Sequence, residues 1–322
     1  MAALLNSLFV GLLLVFSTSA VRAKSYPVRT IRLVVPWPAG GIVDALGRII
    51  GKKMSDNLGQ PVVVENRVGA ASAIGADNVA KAAPDGYTLL VATSGHAINV
   101  GLSKNLPYDA LNDFTAIRLI ATAPSVLVVH PELPVKTTGQ LIALAKDRPG
   151  KLTYASAGNG SFAHILAELF KQAASIEVLH VPYRGQPQAV TDLLAGRVDM
   201  LFATMTVAVP QIEAGKLTAL GVTAKDRVSA LPTTPTLGEA GIPGFEGGQW
   251  LGILGPKGMS DELIQTLGKE IDKVLKDPEV RAAIEVQGMY ILNEEAATFR
   301  TMLDNDIKRW VKLIAETGIA AN

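Results

Sequence analysis

The 322-residue chain has no cysteine, so neither a disulfide nor a lipid-modified cysteine is available to it. It also lacks an excess of either charge: 30 Lys and Arg stand against 29 Asp and Glu. Nucleic-acid binding, served by a clustered basic face, is not expected, and neither is capture of an anion by a broad positive field. His96, His130 and His180 fall among strand ends without metal-ligand spacing, so no metal is expected. Neither Ser156 nor Ser161 sits in the G-x-S-x-G turn that exposes a serine nucleophile, and no catalytic residue is expected. The apolar run at residues 8–16 is too short to cross a bilayer, which takes about 20 residues. With small residues at Val21 and Ala23 it reads as a secretory leader, 1–23, cut before Lys24. Cleavage removes Arg22 and no acid, leaving 30 − 1 = 29 basic residues against 29 acidic ones.

What remains, roughly 300 residues, exceeds the usual single core and favours two lobes. Short apolar runs at 30–35, 62–65 and 87–92 alternate with amphipathic segments at 43–58 and 72–81. The same alternation recurs from 125 to 222. An α/β fold follows, with largely parallel sheets covered on both faces and a ligand cleft between the lobes. The first lobe is expected over 24–124, the second over 125–224, and the return to the first, with the C-terminal helices, over 225–322. In such sheets ligands sit at the carboxyl ends of the strands. The loops at 36–41, 66–71 and 93–96 fall at that edge, and Ser94 lies in the last of them.

Twice a β-rich run stops at a glycine-centred loop and restarts as a helix. The first copy is Leu33-Val-Val-Pro-Trp-Pro-Ala-Gly-Gly-Ile-Val-Asp-Ala-Leu-Gly-Arg48, the second Leu152-Thr-Tyr-Ala-Ser-Ala-Gly-Asn-Gly-Ser-Phe-Ala-His-Ile-Leu166. The first amides of a helix have no partner inside it, and the macrodipole makes that end positive. A helix entered through glycines therefore offers bare N–H groups to an anion. Candidate ligand residues are Trp37, Pro38, Ala39, Gly40 and Gly41 in the first loop. In the second they are Ser156, Ala157, Asn159, Gly160, Ser161 and, one turn into the helix, His164. Tyr183 and Arg184 follow Pro182 at a strand end and are expected to face the cleft. Asp44, in a first helical turn, would repel an anion and is assigned to bracing its loop. Residues 158–163 fit G-x-G-x-x-A, but the next strand ends Leu179-His-Val-Pro-Tyr183 without the acid that holds a ribose, so no dinucleotide cofactor is expected.

Several stretches also carry a family resemblance: Val34-Val-Pro-Trp-Pro-Ala-Gly-Gly-Ile-Val-Asp44, Gly59-Gln-Pro-Val-Val-Val-Glu-Asn-Arg67, Ala83-Pro-Asp-Gly-Tyr-Thr-Leu89, Asp192-Leu-Leu-Ala-Gly-Arg-Val-Asp199 and Pro235-Thr-Leu-Gly-Glu-Ala-Gly241. From Tyr26 to the last helix the chain resembles the Bug/TctC-type periplasmic receptors of tripartite tricarboxylate transporters. The resemblance implies a Venus-flytrap monomer without cofactor, closing on a small organic acid and serving the membrane subunits of such a transporter. It also implies that main-chain amides of residues 37–41 and 156–161, with bridging waters, grip carboxylates. Trp37 stands where phenylalanine is usual, Pro38 where alanine and Val43 where threonine are common. Tyr183-Arg-Gly-Gln-Pro-Gln188 replaces the frequent Y-K-G-S-A-P, so the ligand is not inherited with the fold. A receptor for a signalling partner and a secreted hydrolase using Ser156 or Ser161 remain as other classes.

Overall fold

The computed structural model describes residues 26–103 and 105–319; the leader expected at 1–23 lies outside them. Strands β1 (Ile31–Val35), β2 (Val62–Asn66) and β3 (Thr88–Thr93) form a parallel group with β1 in the middle. Helix α1 (Ile42–Leu58) covers it, burying Leu46, Ile50 and Met54 at helical spacing and ending where Gly59 turns left-handed. Helices α2 (Ala73–Ala80) and α3 (Ser94–Leu102) follow β2 and β3.

Next comes β4 (Phe114–Val129), one strand serving two sheets. Its first part, up to Pro124, pairs with β9 (Gly248–Pro256) and β10 (Tyr290–Glu295); its second, from Ser125, pairs with β7 (Met200–Thr204) and β8 (Thr218–Val222). The second sheet adds β5 (Thr153–Ser156) between β7 and β6 (Leu179–Pro182), all three parallel. Helices α4 (Thr138–Asp147), α5 (Phe162–Ala174), α6 (Gln186–Leu194) and α7 (Met205–Glu213) belong to this half. Helices α8 (Asp261–Lys276), α9 (Pro278–Val286) and α10 (Ala296–Thr317) complete the first half. The sheets are thus mixed rather than largely parallel. Every pairing of β4 is antiparallel, as is β3 with β9.

Two strands of chain join the halves, and Thr223 ties them. Its Oγ1 accepts the Ser125 N–H at 2.9 Å and donates to the Gly247 carbonyl at 2.6 Å. Its own N–H reaches the Ser125 carbonyl, and its carbonyl receives the Gly247 N–H, both at 2.8 Å. Residues 225–247, grouped on sequence with the return segment, pack on the second sheet. Val222 exchanges hydrogen bonds with Pro235 and Leu237, and Val228 and Leu231 fill that lobe's core. The return pairing begins at Gly248. Among the described residues no helix is long and apolar enough to cross a membrane.

Candidate functional site

Between the lobes lies a cavity of about 50 Å³. Four helices aim their N-termini at it: α1 through Gly41, α5 through Ser161, α6 through Gly185 and α7 through Thr204. Only α5 is capped by a side chain at that end; α1, α6 and α7 have none. Their first amides and positive dipole ends therefore converge on one small volume. Among the described residues, its walls carry no ionisable side chain. Negative charge is stabilised there by dipoles alone.

The first loop is held from below. Burial pushes the Asp44 carboxyl up, but hydrogen bonds from Arg48, Asn66 and the Gly40 N–H outweigh it and hold the group below its usual value. Gly40 donates at 3.1 Å, Arg48 twice at 2.9 Å and Asn66 at 2.9 Å. The Asn66 amide also donates to the Trp37 carbonyl at 2.9 Å. Gly40, at φ +83°, adopts the left-handed turn that glycine tolerates best. Its amide is committed to Asp44, and neither Gly40 nor Ala39 lines the cavity; Trp37, Pro38 and Gly41 do.

The second loop is braced from within the lobe. Ser156 is fully buried, its hydroxyl 2.6 Å from His180 Nε2 and accepting the Gly158 N–H. His164 Nδ1 accepts the Gly160 N–H at 3.2 Å, while Ser161 Oγ caps the His164 N–H. The His164 ring stacks on His180 at 4.3 Å, and His180 on Tyr154 at 4.6 Å. Ala157 and Ser161 reach the cavity from this loop; Ser156, Gly160 and His164 hold its shape. Ser156 has an imidazole beside its hydroxyl but is fully buried, and Ser161, also buried, uses its hydroxyl as a helix cap, so neither is presented as a nucleophile.

Four expected ligand residues stand elsewhere. Ser94 Oγ accepts the Trp250 N–H at 3.0 Å and lines a different cavity. Asn159 faces Ala71 and Asn99 in a third. The Tyr183 hydroxyl turns to Asp192, 2.8 Å away on α6, and Arg184 is exposed. Gly185, Gln186 and Pro187 take the cleft position instead, with Thr204 and Gln249. Gln186 is fixed by accepting both the Thr204 N–H and hydroxyl and by donating to the Phe202 carbonyl. The signal that would have found them is the strand-end rule applied to β7 and to the return crossing.

The histidines carry a pH dependence. Burial, with His164 beside it, pushes His180 down to about 4; burial also lowers His164 and takes His96 to about 4. Below about pH 6.5 the unfolded chain takes up protons that the folded one refuses. The stability these groups contribute is complete above 6.5 and lost as pH falls toward 4. The melting temperature should drop steadily across that window, and the slope should lessen in His180→Asn. An unchanged slope would remove His180 from the account.

The sequence profile described as the tripartite tricarboxylate transporter family receptor matches residues 46–319. A UPF0065 protein from the tcbD-tcbE intergenic region of Pseudomonas sp. (strain P51) is 42% identical over 316 residues, 97% of this chain and 94% of that one. A solved periplasmic transporter is 34% identical with a TM-score of 0.89, covering 92% of this chain and 100% of its own. An R. palustris protein solved with adipate is 34% identical with a TM-score of 0.88, over 92% and 99%.

Proposed function

The chain belongs to the tripartite tricarboxylate transporter receptor family, and from that premise we propose that it captures a small carboxylated acid in the periplasm. Its partners are then the membrane subunits of such a transporter; it works as a monomer and does no chemistry on the acid. The observation that carries this reading is the convergence of four helix N-termini on a cavity without an ionisable side chain. A carboxylate is the anion such a cradle suits in this family, and adipate in a structural relative supports it. Each charge-assisted hydrogen bond contributes about 1.5–3 kcal/mol net. Four or five of them, less the cost of immobilising the ligand, amount to roughly micromolar affinity. The gripping amides on this reading are those of Gly41 and of the first turns of α1, α6 and α7, with Ala157. Waters bridge what they do not reach.

The lobes touch across the cavity: a Cβ on Gly185 would lie 2.8 Å from Pro38. At the far side Thr206 Oγ1 donates to the Gln287 carbonyl at 2.9 Å. Admission of an acid therefore requires the lobes to part about the Thr223 tie, a hinge motion. A thermal-shift panel of mono- and dicarboxylic acids tests the reading. An acid at a hundredfold excess over its Kd should add about 2.7 kcal/mol and raise Tm by several degrees. A panel without any shift, or an acid recovered chemically altered, would overturn it.

A further inference from the structure

The 50 Å³ between the helix N-termini has room for a carboxylate group or a water or two, but not for the rest of an organic acid. The adjoining space is larger. A cavity of about 670 Å³ meets the first at Phe162, which lines both. That is within the range of small-molecule sites. Like the first, it is built by both lobes: α5 and residues 242–247 supply one side, Trp250 and α10 the other. Phe162 is the first residue of α5, directly after Ser161, so the two spaces adjoin at the helix start that faces the cradle.

We propose, building on the receptor reading, that the cavity behind Phe162 is the second compartment of the ligand site and takes the acid's apolar or aryl body. Its surface is mostly hydrocarbon and aromatic. Phe162 meets Trp310 edge to face at 6.4 Å, and the Trp250 indole is pinned by its N–H to Asp306 at 2.7 Å. Such rigid rings favour a flat or apolar partner. The lining also carries Glu246 and Asp306 against one cation, Arg309, which rests on the Trp310 ring. A second carboxylate is disfavoured there. The ligand class is therefore an acid with one carboxylate at the helix N-termini and an aryl or alkyl body beyond Phe162, rather than a short polyacid.

Calorimetry with butanoate and 6-phenylhexanoate separates the compartments. The phenyl acid should bind at least about tenfold more tightly, because a ring and further methylenes leave water. It should also outrank a linear dicarboxylate of equal length. Ala173 is exposed and lines the second cavity, so Ala173→Trp fills that space without disturbing the core. Leu169→Trp does the same from a half-buried position. Either variant should lose the phenyl acid's advantage while holding butanoate within about twofold of wild type. Equal affinity for the two acids in the wild type, or an advantage that survives both filled variants, would overturn the second compartment and leave the receptor reading standing. Failure of every carboxylate to bind would overturn both.

Discussion

A Gly185→Ala protein is expected to fold with a stability loss of about 1–3 kcal/mol and to bind its acid at least about tenfold more weakly. Gly185 has φ +157° and ψ 162°, a region that glycine occupies and a Cβ strains, so an alanine there also costs stability within its own lobe. Its Cβ would land 2.8 Å from Pro38 Cγ and 3.3 Å from Cδ, and Pro38 belongs to the other lobe. Something must shift, and the lobe interface is the weakest element available. The lobes then stop short of the geometry in which the four helix ends meet. The same structure names its rescue. Pro38→Ala removes Cγ and Cδ and leaves only a Cβ at 3.4 Å, an ordinary contact. Gly185→Ala with Pro38→Ala should regain most of the lost affinity, a coupling that two independent effects would not show. Small-angle scattering supplies the second readout: the wild type should contract with saturating acid, and the Gly185→Ala protein should contract less. Full affinity in a folded Gly185→Ala protein would show that this contact plays no part in capture.

Gly185 is not alone. A Cβ on Gly160 would meet Asn99 Oδ1 at 2.8 Å, and one on Gly288 would meet Met205 at 2.1 Å, each across the lobe boundary. Such glycines are not legible as contacts, because the atoms they make room for lie far away in the chain. What was legible is local. Both strand–loop–helix units, 33–48 and 152–166, appear where a glycine-centred loop separates a β-rich run from an amphipathic one. Asp44 could be set apart from the ligand residues because a carboxylate in a first helical turn has a local physical role. The misses are non-local. On sequence a separate strand starts at Ser125; instead β4 runs on through Pro124, where it changes sheets and a missing N–H costs little. Ser156 falls among the residues of the second ligand loop, but it is fully buried and its hydroxyl pairs with His180, 24 residues on. Tyr183 looked cleft-facing until Asp192 took its hydroxyl. Thr204 comes to the site from the end of β7 and Gln249 from the return crossing, positions that only the folded sheets bring together.

Trp37→Phe is expected to leave the unliganded protein about as stable as the wild type and to weaken acid binding by roughly ten- to hundredfold. The indole serves two surroundings at once: it packs against the core under the first loop and forms part of the cavity wall. One of its edges would lie 3.2 Å from a Cβ placed on Gly95. Its Nε1–H is buried and has no protein acceptor, an uncommon state for a buried donor. A donor kept dry costs about 1–3 kcal/mol, and on the proposed reading a carboxylate in the cradle would recover that cost by accepting it, directly or through one water. Phenylalanine keeps an aromatic wall, removes the unpartnered donor and leaves a smaller ring. The packing lost and the polar burden relieved act in opposite directions on stability. Binding has no such offset, since the charge-assisted bond is simply gone. The two other tryptophans, Trp250 and Trp310, line the second cavity, so a short acid such as butanoate should quench the fluorescence of the wild type and hardly that of the variant. Unaltered affinity with quenching retained would return Trp37 to the core and leave the carboxylate to the helix N-termini alone.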